Sequence, residues 1–270
     1  MIKYAFVYIA VLLSSCSYKP YRIIQKRQNK KIDSLKKELS LKFEIPLLDS
    51  LQQPIEAQYV PAINFGLRKP NFVIIHHTAQ DSVAQTIKTF SLDRTQVSSH
   101  YLISASGKII HLLNNNLRAW HAGVAKWGNI SDINSCSIGI ELDNNGLTPF
   151  TLQQINSLIS VLKSLKTAYK IPAANFIGHA DIAPQRKTDP SVFFPWKLLS
   201  DNGFGLWYDN PDLPPPADFD TENALRRIGY NTSNMAAAIV AFKLHFVKID
   251  VSPTLSDWDK CVLWNLYKKY

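Results

Sequence analysis

Three distant segments of this 270-residue chain carry residue types that bind transition metals or move protons. Phe72-Val-Ile-Ile-His-His-Thr78 ends an apolar run in two histidines. Ser137-Ile-Gly-Ile-Glu-Leu142 ends another in a glutamate. Gly178-His-Ala-Asp-Ile-Ala-Pro-Gln-Arg-Lys-Thr-Asp189 places His179, Lys187 and Asp189 in one polar loop rich in turn formers. A histidine at the end of one strand, a glutamate at the end of another and this loop can converge in space. Two His and one Asp around zinc leave a fourth position open for water, the arrangement of a catalytic rather than a structural site.

The elements that must position these residues follow from hydrophobic patterning. Phe72-Val-Ile-Ile after Pro70 reads as a buried strand, and Ser82 to Phe90 as a helix. Ser99–Ser104 and Lys108–Leu113 flank Ser106-Gly107, a hairpin signal. Ser135–Leu142 reads as a strand closed by the turn Asp143-Asn-Asn-Gly146. Thr151 is placed to cap a helix reaching about Tyr169, with Ile155, Leu158, Ile159, Leu162 and Leu165 on its apolar face. Asn175–Gly178 is a short strand leading into the polar loop. Strands alternating with helices predict an α/β body, a mixed central β-sheet flanked by helices.

The chain ends are organised differently. Lys3 precedes an apolar stretch from Ala5 to Leu13, too short to span a bilayer. Leu13-Ser-Ser-Cys16 follows, and small residues before a Cys resemble the bacterial lipoprotein signal, in which cleavage precedes the Cys and its thiol is acylated. A plain signal peptide or an N-terminal anchor helix is the other reading. Residues 17–45 hold nine Lys or Arg against three acids, a net +6, and Lys3 adds one more, so only +2 of the chain's +9 falls after residue 45. The basicity belongs to a tether. It would favour an anionic membrane surface or polymer, or else serve as a solvated spacer. Ile32, Leu35, Leu39 and Leu41 make a weak amphipathic helix within residues 25–45. With no basic patch in the folded part, nucleic acid is not an expected partner. Asp209-Asn-Pro-Asp-Leu-Pro-Pro-Pro216 is a stiff linker before three predicted helices, Thr221 to Ile228, Asn234 to Phe246 and Asp257 to Tyr267. So small a domain holds little core of its own and is expected to dock on the body. The domains read from the sequence are therefore a signal peptide (1–15), a basic tether (16–55), a catalytic domain (56–208), a linker (209–217) and a small three-helix domain (218–270). Cys136 and Cys261 could pair in an oxidising compartment, but they fall in different domains and are expected as two buried thiols.

Ile-His-His-Thr-Ala (75–79), Val-Ser-Ser-His-Tyr-Leu (97–102), Ala-Trp-His-Ala-Gly (119–123), Ser-Ile-Gly-Ile-Glu-Leu (137–142) and His179 to Pro190 occur in order over about 120 residues. In this set the chain resembles the type 2 zinc-dependent N-acetylmuramoyl-L-alanine amidases, and within them the outer-membrane lipoprotein amidases. Leu225–Tyr230 and Ala237–Phe246 resemble a small peptidoglycan-binding-like module, which would bind wall polymer or only pack against the amidase. The resemblance implies zinc on His76, His179 and Asp189. His77 is not implied as a ligand, and adjacent strand side chains point to opposite faces. It further implies Glu141 as the proton-transferring residue, Lys187 as an oxyanion stabiliser, and Trp120, His121 and His100 as substrate-side or supporting positions, with a structural role equally open for His100. His111 and His245 match no motif.

The implied activity is zinc-dependent hydrolysis of the amide between N-acetylmuramic acid and L-alanine, in peptidoglycan or muropeptides. A non-catalytic peptidoglycan-binding protein of the same fold, a cytosolic recycling amidase restricted to anhydro-muropeptides and a zinc endopeptidase are the alternatives. Lipid on Cys16 would hold a monomer in the cell envelope facing the periplasm. Ser17 after it suggests the outer membrane.

Overall fold

A computed structural model describes residues 21–39, Gln53 and 67–270, in two units divided between Phe65 and Gly66. In the first, α1 (Arg22–Leu39) is an 18-residue helix with no buried residue. Residues 1–15, the lipid-candidate Cys16 and residues 40–45 of the expected amphipathic helix lie outside the described residues. No described helix is long and apolar enough to cross a membrane.

The second unit is built on a five-stranded sheet of β1 (Phe72–His77), β2 (Tyr101–Ile103), β3 (Ile109–His111), β4 (Ser137–Leu142) and β5 (Phe176–Gly178), in the order β3-β2-β4-β1-β5. β2, β4, β1 and β5 run parallel, and β3 pairs antiparallel with β2 at one edge. This is the mixed sheet that the alternation of strands and helices predicts. The β2–β3 turn passes through Gly107 at φ +84°, where a Cβ would come within 2.8 Å of the Gln153 carbonyl, so only glycine lets the hairpin rest there.

Helices α2 (Val83–Phe90), α3 (Ile133–Cys136), α4 (Leu152–Tyr169), α5 (His179–Ile182) and α6 (Trp196–Asp201) complete the body. Ser82 caps α2 and Thr151 caps α4, each accepting from a backbone N–H three residues on. Two expectations change. The stretch starting at Ser135 is not strand throughout: Asp132 accepts from Ser135 N, which fixes a helical turn before β4 begins at Ser137. The polar loop opens as a helical turn, α5, not as irregular chain.

The pleat divides the core in two. Val73 and Ile75 of β1, with Ile138, Ile140 and Leu142 of β4, pack against Ile155, Leu158, Leu162 and Leu165 of α4 and against α6. Phe72, Ile74 and Ile177 face the other way, toward α7 (Thr221–Ile228), α8 (Met235–Phe246) and α9 (Asp257–Tyr267). The three C-terminal helices fall where the sequence pattern puts them, and they share a continuous core with the sheet. Each fully buried Leu or Ile there contributes about 1.5–3 kcal/mol. Lys243 of α8 is fully buried and ion-paired to Asp250 (2.5 Å) and Asp259 (3.1 Å), which ties α8 to the start of α9. Cys136 and Cys261 are free thiols, and both are half-buried where full burial was expected.

Candidate active site

Parallel strands deliver their C-terminal ends to one edge of the sheet, where ligands of such folds bind. Here β1, β4 and β5 place His76 and His77, Glu141 and His179 at that edge. His76 and Glu141 are register partners on adjacent strands, and Ile75 pairs with Gly178, the residue before His179. Strand alternation puts His76 and Glu141 on the face that carries Phe72 and Ile74. The loop after α5 returns to the same place, with Ala180 N donating to Asp189 O at 2.7 Å and a cis Asp189–Pro190 peptide following.

Three ligand atoms meet there. His76 Nδ1 lies 3.0 Å from His179 Nδ1, and Asp189 Oδ2 lies 3.1 Å from both. All three residues are buried, and they are the metal-competent group of His, Cys, Asp or Glu among the described residues. Tetrahedral zinc with bonds of about 2.0–2.2 Å spaces its ligands about 3.3–3.6 Å apart, so the triad is within a few tenths of an ångström of that geometry. The hydrogen bonding agrees. His179 Nε2 is 3.1 Å from the Ala122 carbonyl, which only accepts, so the ring hydrogen sits on Nε2 and Nδ1 offers a lone pair. Burial, then the neighbouring His179, lowers His76 to a pKa of about 4, which keeps it neutral and able to ligate. Burial alone would raise Asp189, but the neighbouring His179 and His76 outweigh it and hold the carboxyl below its usual range. Lone pairs from a carboxylate and an imidazole converging at this distance call for a cation. The donor set of two nitrogens and one oxygen fits zinc.

Glu141 stands beside this triad. Its Oε2 is buried with no hydrogen-bond partner, and burial, reinforced by Asp189, pushes the carboxyl up to about 8. An unpaired carboxyl in this range is suited to take and return protons. Half-buried Lys187 lowers Glu141 in turn. Glu141 and Lys187 line a cleft of about 390 Å³ with the triad, His77, Thr78 and Trp120. A neighbouring hollow of about 360 Å³ shares Trp120, Arg186 and Lys187 and adds Arg118.

The substrate-side expectations divide. Trp120 is 38% exposed and borders both hollows, as a substrate-facing ring must. His121 also borders them, but it is 8% exposed and both its nitrogens point inward, to His76 Nε2 and Ser137 Oγ at 3.1 Å each. His100 does not reach the cleft. It is fully buried, its Nδ1 accepts from Gly139 N and its Nε2 donates to Leu117 O, so backbone groups use both nitrogens and the structural alternative holds. His77 accepts from Ser191 N through Nδ1 and is not part of the triad. His111 stacks on Tyr101 at the edge of the sheet. His245, which no motif marks, is 2.8 Å from Asp181 Oδ2 in the turn that carries His179. Arg186 is another residue the motifs leave unassigned. It donates to the carbonyls of Ala122 and Val124 and fixes the turn that receives His179.

Comparison with known proteins reaches the same region. Residues 66–192, which include His76, Glu141, His179, Lys187 and Asp189, match the family model described as N-acetylmuramoyl-L-alanine amidase. The chain is 36% identical over 206 residues to the N-acetylmuramoyl-L-alanine amidase AmiD of Escherichia coli K12, covering 64% of this chain and 74% of that protein. It belongs to the N-acetylmuramoyl-L-alanine amidase family. The structure of E. coli AmiD in complex with anhydro-N-acetylmuramic acid-L-Ala-D-gamma-Glu-L-Lys superposes with a TM-score of 0.68 at 29% identity, over 83% of this chain and 97% of that one. AmpDh3 of Pseudomonas aeruginosa, in complex with anhydromuramic pentapeptide, gives 0.68 at 30% identity over 80% and 98%. Both superpositions extend beyond the matched 66–192 segment, which alone is less than half of the chain. The family is metal-dependent, and this chain has a buried His76–His179–Asp189 group of the kind that can hold a metal ion.

Proposed function

We propose that this chain is a zinc amidase that hydrolyses the amide between the lactyl group of N-acetylmuramic acid and L-alanine in peptidoglycan or muropeptides. The observation that carries this reading is the buried triad of His76, His179 and Asp189 with the unpaired Glu141 carboxyl on the adjacent strand. The names of the relatives supply the substrate class.

Zinc held by His76 Nδ1, His179 Nδ1 and Asp189 Oδ2 would polarise the scissile carbonyl and acidify water in the cleft. Glu141 takes a proton from the attacking water as the new C–O bond forms. It returns that proton to the L-alanine nitrogen as the C–N bond breaks. Lys187, on the same cleft wall, donates to the oxyanion that develops between these steps. Trp120 offers a flat face for the sugar or the stem peptide. Lipidation of Cys16 would keep this body in the cell envelope, on the periplasmic side and by the Ser17 signal at the outer membrane. The three C-terminal helices would then pack on the body and, through their exposed side, meet the wall polymer.

Metal dependence tests the reading. Purified protein is stripped with a chelator, reloaded with zinc and incubated with muropeptides. Stem peptide should be released by the loaded protein, lost on stripping and recovered on reloading. No release in any state would leave a binding protein of the same fold.

A further inference from the structure

We infer that Ser137 and His121 are positioning residues that fix the tautomer of His76 and so present its Nδ1 lone pair to the metal; this rests on the metal-binding reading of the triad. The chain of hydrogen bonds leaves one assignment. Ser137 Oγ lies 2.6 Å from the Ile133 carbonyl, and a carbonyl only accepts, so the serine hydrogen is committed there. At 3.1 Å from His121 Nε2, the same oxygen must therefore accept, and His121 carries its hydrogen on Nε2. His121 Nδ1 is then a bare acceptor. His76 Nε2, 3.1 Å away, must donate to it, which leaves His76 Nδ1 without a hydrogen, facing His179 Nδ1 and Asp189 Oδ2. The backbone carbonyl of α3 sets the state of a ring three groups away.

The surroundings hold that ring in place. Asn134 Oδ1 accepts from both His121 N and Ala122 N at 3.0 Å. A Cβ at Gly139 would come within 2.5 Å of His121 Cγ, so the ring lies directly over the β4 backbone and only glycine leaves room for it. Ser137, Gly139 and Glu141 share one face of β4, so the strand that carries the proton-transferring carboxyl also carries the support for the ligand on the adjacent strand. Groups that orient a ligating histidine commonly govern metal affinity by about 10- to 100-fold.

The test reads tautomers directly. In metal-free protein with ¹⁵N-labelled histidine, nitrogen shifts and ring proton correlations should place hydrogen on Nε2 of both His76 and His121. Hydrogen on Nδ1 of His76 overturns the inference without any need for metal. Zinc affinity, measured by competition with a chelating dye, should fall about tenfold or more in Ser137→Ala. His121→Phe, which keeps a ring and removes both nitrogens, should fall further, and His121→Gln should recover part of the loss because its amide can both accept and donate. An affinity within twofold of wild type in Ser137→Ala and His121→Phe, with wild-type far-ultraviolet circular dichroism, also overturns it. If wild-type protein and His76→Ala bind zinc equally poorly, the metal reading fails instead, and the tautomer measurement still decides the relay.

Discussion

Asp189 and Glu141 are both buried carboxyls in one cleft, yet their surroundings push them in opposite directions. The two imidazoles beside it hold Asp189 below the usual carboxylate range, while burial without a partner pushes Glu141 up to about 8. In the proposed function, that contrast suits Asp189 to the metal and Glu141 to the proton. Asp189→Ala should abolish zinc binding, read as metal content after dialysis. Glu141→Gln should keep zinc at full stoichiometry and lose about 10²- to 10⁴-fold in turnover. Loss of zinc in Glu141→Gln or its retention in Asp189→Ala would contradict the assignment. His100 supplies a pH dependence away from the chemistry. Burial holds it neutral with a pKa of about 4 against 6.5 for an ordinary imidazole. Between those values the unfolded chain binds the extra proton, so stability rises with pH through this window and is lost as pH falls from about 6.5 to 4. Urea unfolding should show His100→Gln to be less pH-dependent than wild type over that range, by about 2–3 kcal/mol. The convergence of His76, His179 and Asp189 was legible because strand-end histidines and an Asp-Pro loop form a recognisable set. His121 borders the cleft, as its spacing suggests, but spacing does not reveal that Ser137 and His76 occupy its nitrogens.

At the scale of elements, the turn bearing His179 is held by helices more than 40 residues further along the chain. Asp181 Oδ1 accepts from Tyr230 Oη at 2.7 Å, and its Oδ2 accepts from Gly178 N at 2.7 Å and from His245 Nδ1 at 2.8 Å. His245 itself stacks on Trp196, with ring centroids 3.9 Å apart. Tyr230→Phe removes one donor and leaves a buried carboxylate oxygen unpaired, at a cost of about 1–3 kcal/mol. Thermal or urea unfolding checks it, and an unchanged midpoint would deny the clamp. The strands were readable as short apolar runs, and α4 as a long periodic helix with a threonine cap. α3 and α5 were not, since each is a single turn fixed by capping or side-chain bonds to distant groups. α6 has only six residues and follows Pro195 and an aromatic stretch whose packing no local pattern reveals.

On the scale of the whole molecule, residues 17–45 carry +6 of the charge, whereas the candidate active site lies in the unit from Gly66 to Tyr270. If lipid on Cys16 anchors the chain, the protein made in its host should partition into the detergent phase of a Triton X-114 extract, and Cys16→Ala should move it to the aqueous phase. A wild-type chain found in the aqueous phase would leave the N-terminal segment as a plain leader. The helical character of the segment after the Pro-rich stretch at 209–216 was legible from its patterning. Its shared core with the sheet was not, because Phe72, Ile74 and Ile177 reveal which helices they meet only once the sheet has two defined faces. The most direct measurement of the central claim is mass spectrometry of the products from a muropeptide treated with zinc-loaded protein in ¹⁸O water. Hydrolysis at the proposed bond gives a muramic acid whose lactyl carboxyl carries one ¹⁸O and a stem peptide with a free L-alanine amine. A label on a carboxyl within the stem, or no new terminus at all, would contradict it.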